Sequence, residues 1–183
     1  MRIRQLALHP YKMLLTNGQV RSGALINVVD EEGRGGWGDV APLPSWSWET
    51  LKESLDSLLQ RRSEIIGIVW TAQNWSIELG RLQLSPSASF GLESALLSVI
   101  LPLQRYTVRA SALLIGSPVE IIEQAKLRRI EGYATAKLKV GHLSFEEAFY
   151  VINQLKDTFS LRIDVNRAWT TFDSLQFFSQ YSL

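Results

Sequence analysis

From residue 110 onward the chain alternates short apolar runs with amphipathic stretches, and that alternation limits its fold more than any other feature. "ASALLI" (110–115) suits a buried strand. "GSPVEIIEQAKLRRIEG" reads as a helix, with Ser117 as N-cap, Pro118 at the first helical position, Glu120 closing a capping box and Gly132 as the stop. "TAKLKVG" (135–141) is a second strand. "SFEEAFYVINQLKDTF" repeats the capping grammar with Ser144 and Glu147, and its Phe145, Ala148, Phe149, Ile152, Leu155 and Phe159 form one apolar face. "LRIDVN" (161–166) is a third strand, and "TTFDSLQFFSQYSL" begins a third helix. Strand–helix–strand units of this length build parallel sheets, because parallel neighbours need a crossover connection.

A parallel sheet gives unusual meaning to the second strand. Side chains alternate along a strand, so Thr135, Lys137 and Lys139 share one face while Ala136, Leu138 and Val140 share the other. In "LRIDVN", Arg162, Asp164 and Asn166 likewise fall on one face. One reading is a solvent-facing stripe, with a structural Lys–Asp ion pair between adjacent strands. The other is a reactive site, since charged residues at the C-terminal ends of barrel strands do chemistry while the rest of the interior is packed apolar side chains. A carboxylate beside two amines suits metal-assisted proton abstraction. Magnesium takes carboxylate oxygens and water, which makes Asp164 the candidate ligand. A lysine becomes a base when a neighbouring ammonium, a dication or burial disfavours its charged form, and Lys137 beside Lys139 provides the first of these.

The first hundred residues read differently, as strands followed by helices. "IRQLALHPYKM" has weak strand character, and "GALINVVD" and "GWGDVAP" flank the turn-rich "EEGRGG" as an antiparallel hairpin. Gly33, Gly35, Gly36 and Gly38 do not form a phosphate loop, because no Lys-Ser/Thr follows and the next apolar run is not a helix; they read as a turn. "SWSWETLKESLDSLLQRR" reads as a helix with Ser47 as N-cap and Trp48, Leu51, Leu55, Leu58 and Leu59 at helical spacing. "SASFGLESALLSVI" is a second, more buried helix. The expectation is an α+β domain over residues 1–104, with helices packed on a meander, followed over 105–183 by about three βα units.

Composition narrows the function classes. Nineteen basic and eighteen acidic residues leave a net charge of +1 with no basic block, which argues against nucleic acid. The longest apolar run, near "SVILPL", is too short for a membrane span. "MRIRQLALHP" lacks the apolar core and cleavage site of a secretory signal. The absence of cysteine excludes disulfides and thiolate chemistry and fits a cytoplasmic protein. His9 and His142 stand far apart and read as surface or loop residues.

"AKLKVG" followed by the Asp of "LRIDVNRAWT" resembles the enolase superfamily, in its muconate-lactonizing branch. Within that branch "LRIDVNRAWT" and "SASFGLESAL" are most similar to the o-succinylbenzoate synthase family of menaquinone and phylloquinone biosynthesis, and "GWGDVAPLPSWSWETL" extends the likeness into the first domain. The resemblance implies an α+β capping domain followed by the first part of a β/α (TIM-type) barrel. It implies a lyase in which Lys139 removes the proton α to a substrate carboxylate and then protonates the departing hydroxyl. Lys137 would hold the carboxylate's charge and help lower the Lys139 pKa, and Asp164 would be the first ligand of Mg2+. Asn166 and Arg162 would play supporting parts. The loop near "TNGQVRSG" and the "PLPSWSW" segment would enclose the small-molecule substrate, although Trp46 and Trp48 equally suit local packing at a helix start.

The family also uses two further acidic ligands and another lysine from later strands. Asp173, in the following helix, cannot replace them. A full barrel takes about 250 residues, so the expectation is a fragment of a longer enzyme, inactive alone and completed by the C-terminal half of the barrel. A dipeptide epimerase of the same superfamily, and a non-catalytic remnant that binds a partner, are the alternatives.

Overall fold

Alternation in "ALINVVD" sends Ala24, Ile26 and Val28 to one side of a strand and leaves Leu25 and Asn27 on the other. The computed structural model, which describes residues 1–15, 18–101 and 106–180, places that strand at the centre of an antiparallel sheet. The chain divides into two units, Met1–Arg105 and Tyr106–Leu183. The boundary expected at 104/105 and the last three residues of the third expected helix lie outside the described residues.

In the first unit β1 (Ile3–Leu14), β2 (Val20–Asp30) and β3 (Gly35–Val40) pair in sequence order. Helices α1 (Leu51–Gln60), α2 (Arg62–Gly67), α3 (Trp75–Arg81) and α4 (Pro86–Ile100) follow. Ile3, Leu6, Ile26, Val28 and Val40 from the sheet meet Leu58, Ile65, Leu92 and Leu96 from the helices, around the fully buried Trp70. The β2–β3 turn closes on the buried Asp30. Its Oδ1 accepts the N–H groups of Glu32 (3.0 Å) and Arg34 (2.8 Å), and its Oδ2 accepts Arg34 Nε at 2.8 Å.

Two expectations for this unit need correction. The N-cap of α1 is Thr50, in a capping box with Glu53, not Ser47. Ser47 Oγ instead accepts the Leu43 N–H in the preceding turn. Trp48 therefore precedes the helix and is fully exposed, and Leu59 faces outward as well. The glycines of "GRGGWGD" are also more than turn residues. Only Gly33, at φ +83°, serves the turn. Gly36 and Gly38 sit inside β3, where an added Cβ would overlap the carbonyl oxygens of Ala95 and Gly91 on α4. Glycine is required there because β3 and α4 approach backbone to backbone.

In the second unit β4 (Ala112–Leu114), β5 (Thr135–Lys139) and β6 (Ser160–Asp164) form a parallel sheet in that order. Between and after them run α5 (Pro118–Ile130), α6 (Phe145–Leu155) and α7 (Thr171–Gln180). The capping boxes read from the sequence are present at Ser117/Glu120 and Ser144/Glu147. Ala112, Leu114, Ala136, Leu138 and Val140 pack under the helices with Ile121, Val151, Ile152 and Phe177. This is the start of a β/α barrel preceded by an α+β capping unit. Among the described residues no helix is long and apolar enough to cross a membrane.

The β3–α4 contact sets a stability prediction. Gly38→Ala should cost about 1–3 kcal/mol, as overpacking does, and lower the urea midpoint at constant m-value. Gly80→Ala, at an exposed helical position with open space around it, should instead gain roughly 0.5–1 kcal/mol. Equal midpoints for the two variants would contradict the close approach.

Candidate active site

Pairing between β5 and β6 fixes which charges meet. Lys137 lies opposite Arg162, and Lys139 opposite Asp164. All four side chains fall on the sheet face away from the apolar cluster. Lys137 leans along the strand past its own partner, and its Nζ lies 2.7 Å from Asp164 Oδ2. Lys139, directly across from Asp164, makes no ion pair among the described residues and acts on it through its charge.

Asp164 is held from two sides. Oδ2 takes the lysine, and Oδ1 accepts the Asn166 N–H at 2.9 Å, the Asx-type turn that aspartate favours. The Lys137 hydrogen bond, helped by the Asn166 N–H and the two lysine charges, holds the Asp164 carboxyl below its ordinary value. The face is half-open: the side chains of Lys137 and Asp164 keep 41% and 26% of their exposure.

Asn166 departs from its expected place. The strand ends at Asp164, and Asn166 enters a turn at φ +48° followed by Arg167 at φ +63°. Its backbone N–H is the group that the Asp164 carboxylate engages. Arg162 remains on that face and is exposed. Asp173 is occupied elsewhere, since its Oδ2 accepts Thr170 N and Oγ1 at 2.9 and 2.7 Å in the capping box of α7.

Among the described residues no cluster of three or more His, Cys, Asp or Glu side chains could hold a metal by itself. Asp164 nonetheless suits magnesium as one hard oxygen ligand, because such ions commonly bind one or two carboxylates and fill the rest of the shell with water and substrate.

In the first unit the "PLPSWSW" segment borders an open cavity of about 500 Å3 lined by Arg21, Asp39, Trp46, Trp48, Glu49 and Phe90 among others. Arg21 donates to the Ala41 and Pro42 carbonyls, tying β2 to this segment. Glu49 Oε1 accepts the Ser87 N–H at 2.8 Å and so caps α4 from a distant stretch of chain. Thr16 and Asn17 of the expected "TNGQVRSG" loop lie outside the described residues.

Residues 12–99 match the family model "MenC, N-terminal domain". The chain is 34% identical over 171 residues to the o-succinylbenzoate synthase of Shigella sonnei, covering 90% of this chain and 49% of that protein. It is 36% identical over 165 residues to the o-succinylbenzoate synthase of Klebsiella pneumoniae, covering 87% and 47%. The chain thus spans about half the length of the curated relatives it matches. Among solved structures, the o-succinylbenzoate synthase of Thermosynechococcus elongatus, complexed with Mg in the active site, aligns at TM-score 0.69 and 27% identity, over 98% of this chain and 56% of that one. A dipeptide epimerase from Enterococcus faecalis aligns at TM-score 0.82 and 22% identity, over 98% and 57%; at that identity the likeness concerns the fold.

The Lys137–Asp164 bond makes a pH prediction. A carboxyl held low in the folded state adds stability above the ordinary carboxylate range and loses it as pH falls through the lowered value. Lys137→Met should therefore move the Asp164 titration, followed by its side-chain carboxyl 13C shift, to higher pH. The part of the stability lost on acidification should shrink and its loss be complete at higher pH. An unmoved Asp164 midpoint would show that the ion pair does not set its ionisation.

Proposed function

The chain is a relative of the o-succinylbenzoate synthases, in the enolase superfamily, and from that premise we propose that it is the capping region and first βα units of a magnesium-dependent carbon–oxygen lyase. The observation that supports this most is the register of β5 on β6, which sets two lysines and a carboxylate on one face at the C-terminal ends of parallel strands. Barrel enzymes carry their chemistry at that end.

The substrate in this reading is the succinyl-bearing hydroxycyclohexadiene carboxylate of menaquinone or phylloquinone biosynthesis, handled in the cytoplasm. Lys139, which is free of any ion pair among the described residues, takes the proton α to the carboxylate as general base. It then returns that proton to the hydroxyl on the neighbouring ring carbon. The C–H and C–O bonds break, water leaves, and the ring becomes aromatic. Lys137 stands beside the substrate carboxylate and meets the negative charge that develops there. Charge stabilisation by a site already arranged for it commonly lowers a barrier more than any other single effect. Magnesium, held by Asp164 together with ligands from outside this chain, would supply further positive charge at that carboxylate. Arg162 and Asn166 support the face.

The reading extends to a protein in which the rest of the barrel completes the site. In that complete protein, Lys139→Ala should lower kcat for dehydration by about 10²–10⁴-fold, the usual contribution of a positioned acid–base group. Dehydration near the parent rate would sink the assignment. Exchange of solvent deuterium into a dipeptide, with no aromatic product, would place the protein with the dipeptide epimerases instead. A stable complex with no magnesium-linked turnover would mark a binding remnant.

A further inference from the structure

Gly141 lies two residues past the end of β5, in the turn closed by the Leu143 N–H on the Val140 carbonyl, with an ordinary backbone conformation, so that turn does not require it to be glycine. What requires it is the neighbouring strand end. A Cβ built on Gly141 would overlap the Val165 carbonyl oxygen, and would lie 2.7 Å from the Val165 carbonyl carbon and 3.0 Å from Ala168 Cβ. The backbone just after Lys139 therefore abuts the backbone just after Asp164. One residue earlier the sheet ladder continues, with Val140 N–H donating to the Asp164 carbonyl at 3.0 Å.

The Val165 carbonyl that fills this space belongs to the first residue of a tight turn. It accepts the Ala168 N–H at 2.9 Å, and between them Asn166 and Arg167 both have left-handed backbones. Two consecutive positive φ values under an i to i+3 bond are the signature of a type I′ turn. Asparagine tolerates that conformation and arginine does not favour it. A turn formed against residue preference is held by its surroundings. Those surroundings include the apolar cluster, which Val165 and Trp169 join, and the Gly141 backbone. The turn's leading N–H, on Asn166, is the one that fixes Asp164 Oδ1.

We propose that Gly141 is a positioning residue, whose missing side chain seats the Val165 carbonyl and so holds the left-handed turn that orients the Asp164 carboxylate toward a divalent cation. The inference rests on the ligand role proposed above for Asp164. It adds that the glycine acts through backbone contact, without touching substrate or cation. Groups that orient metal ligands typically change affinity by about 10–100-fold when removed, and Gly141 belongs among them here.

The test separates the local device from the ligand role. In the metal-free 183-residue chain, amide hydrogen exchange should show Asn166 protected in the parent. Gly141→Ala should lower that protection by about tenfold or more, as loss of a local hydrogen bond does, and shift the Asn166 amide proton resonance. The β5 and β6 ladder amides should keep their protection. Arg167→Gly, which removes the strained side chain but no N–H, should leave Asn166 protected, and it remains informative if the alanine variant does not fold. Mg2+ alone, titrated calorimetrically into the complete protein, should then bind about tenfold or more weakly to Gly141→Ala. An Asn166 amide unprotected in the parent, or unmoved in Gly141→Ala, overturns the inference whatever the metal does. Loss of protection in Arg167→Gly would also overturn it, by assigning the hold to the arginine side chain. A turn released by Gly141→Ala with unchanged Mg2+ affinity would overturn the ligand role of Asp164, and the inference with it.

Discussion

The parallel register of β5 against β6 is the constraint on which the charged face depends. Parallel pairing carries both strands in one direction, so their C-terminal ends come out together and bring Lys139 level with Asp164. A one-residue slip would turn Lys137 and Lys139 under the helices, where no acidic partner lies within the apolar cluster. Burying two unpaired ammonium groups is far costlier than any gain such a slip could offer. The apolar side, Ala136, Leu138 and Val140 against α5 and α6, thus fixes the register, and the polar side inherits its geometry. The Lys137–Asp164 pair itself adds little to folding, because it is partly open to water and screened.

A different constraint organises the first unit. There the sheet and helix meet backbone to backbone, at Gly36, Gly38 and Gly91. Small residues let β3 lie closer to α4 than ordinary side chains permit, and the larger core residues, Trp70, Leu58 and Ile65 among them, fill the space on either side. The segment between β3 and α1 is then tied from two directions, by Arg21 to its carbonyls and by Glu49 to the start of α4. Trp46 and Trp48 ride on a segment whose ends are anchored, which explains how large aromatic groups can stand open to solvent without collapsing onto the core.

Much of this is legible in the sequence. Capping boxes at Ser117 and Ser144, the strand-helix alternation and the Lys-x-Lys stripe are local patterns, and the structure keeps them. The failures share one physical origin, which is that they depend on contacts distant in the chain or on where an element starts or stops. "SWSWET" offers both Ser47 and Thr50 as caps; Thr50 wins because Glu53 stands three residues on and completes the reciprocal box, a signal overshadowed by the helical spacing of Trp48. Extending period-two alternation past Asp164 puts Asn166 on the charged face, whereas the chain turns there. Gly36, Gly38 and Gly141 carry no local mark that separates a turn glycine from one required by a neighbour's carbonyl.

That last distinction bears on how a site such as this one is built. Lys137, Lys139 and Asp164 announce themselves by chemistry, yet their side chains are long or free to rotate, and chemistry depends on where their end atoms stand. For the lysines the strand pleat sets direction. Asp164 is the last residue of its strand, so direction comes also from the turn that follows, to which backbone groups contribute: the Asn166 N–H, the Val165 carbonyl and the bare Cα of Gly141. The residues that make a site reactive can be recognised by their type. The residues that make it accurate are recognised by the space they leave, and that space appears only when two strand ends lie side by side.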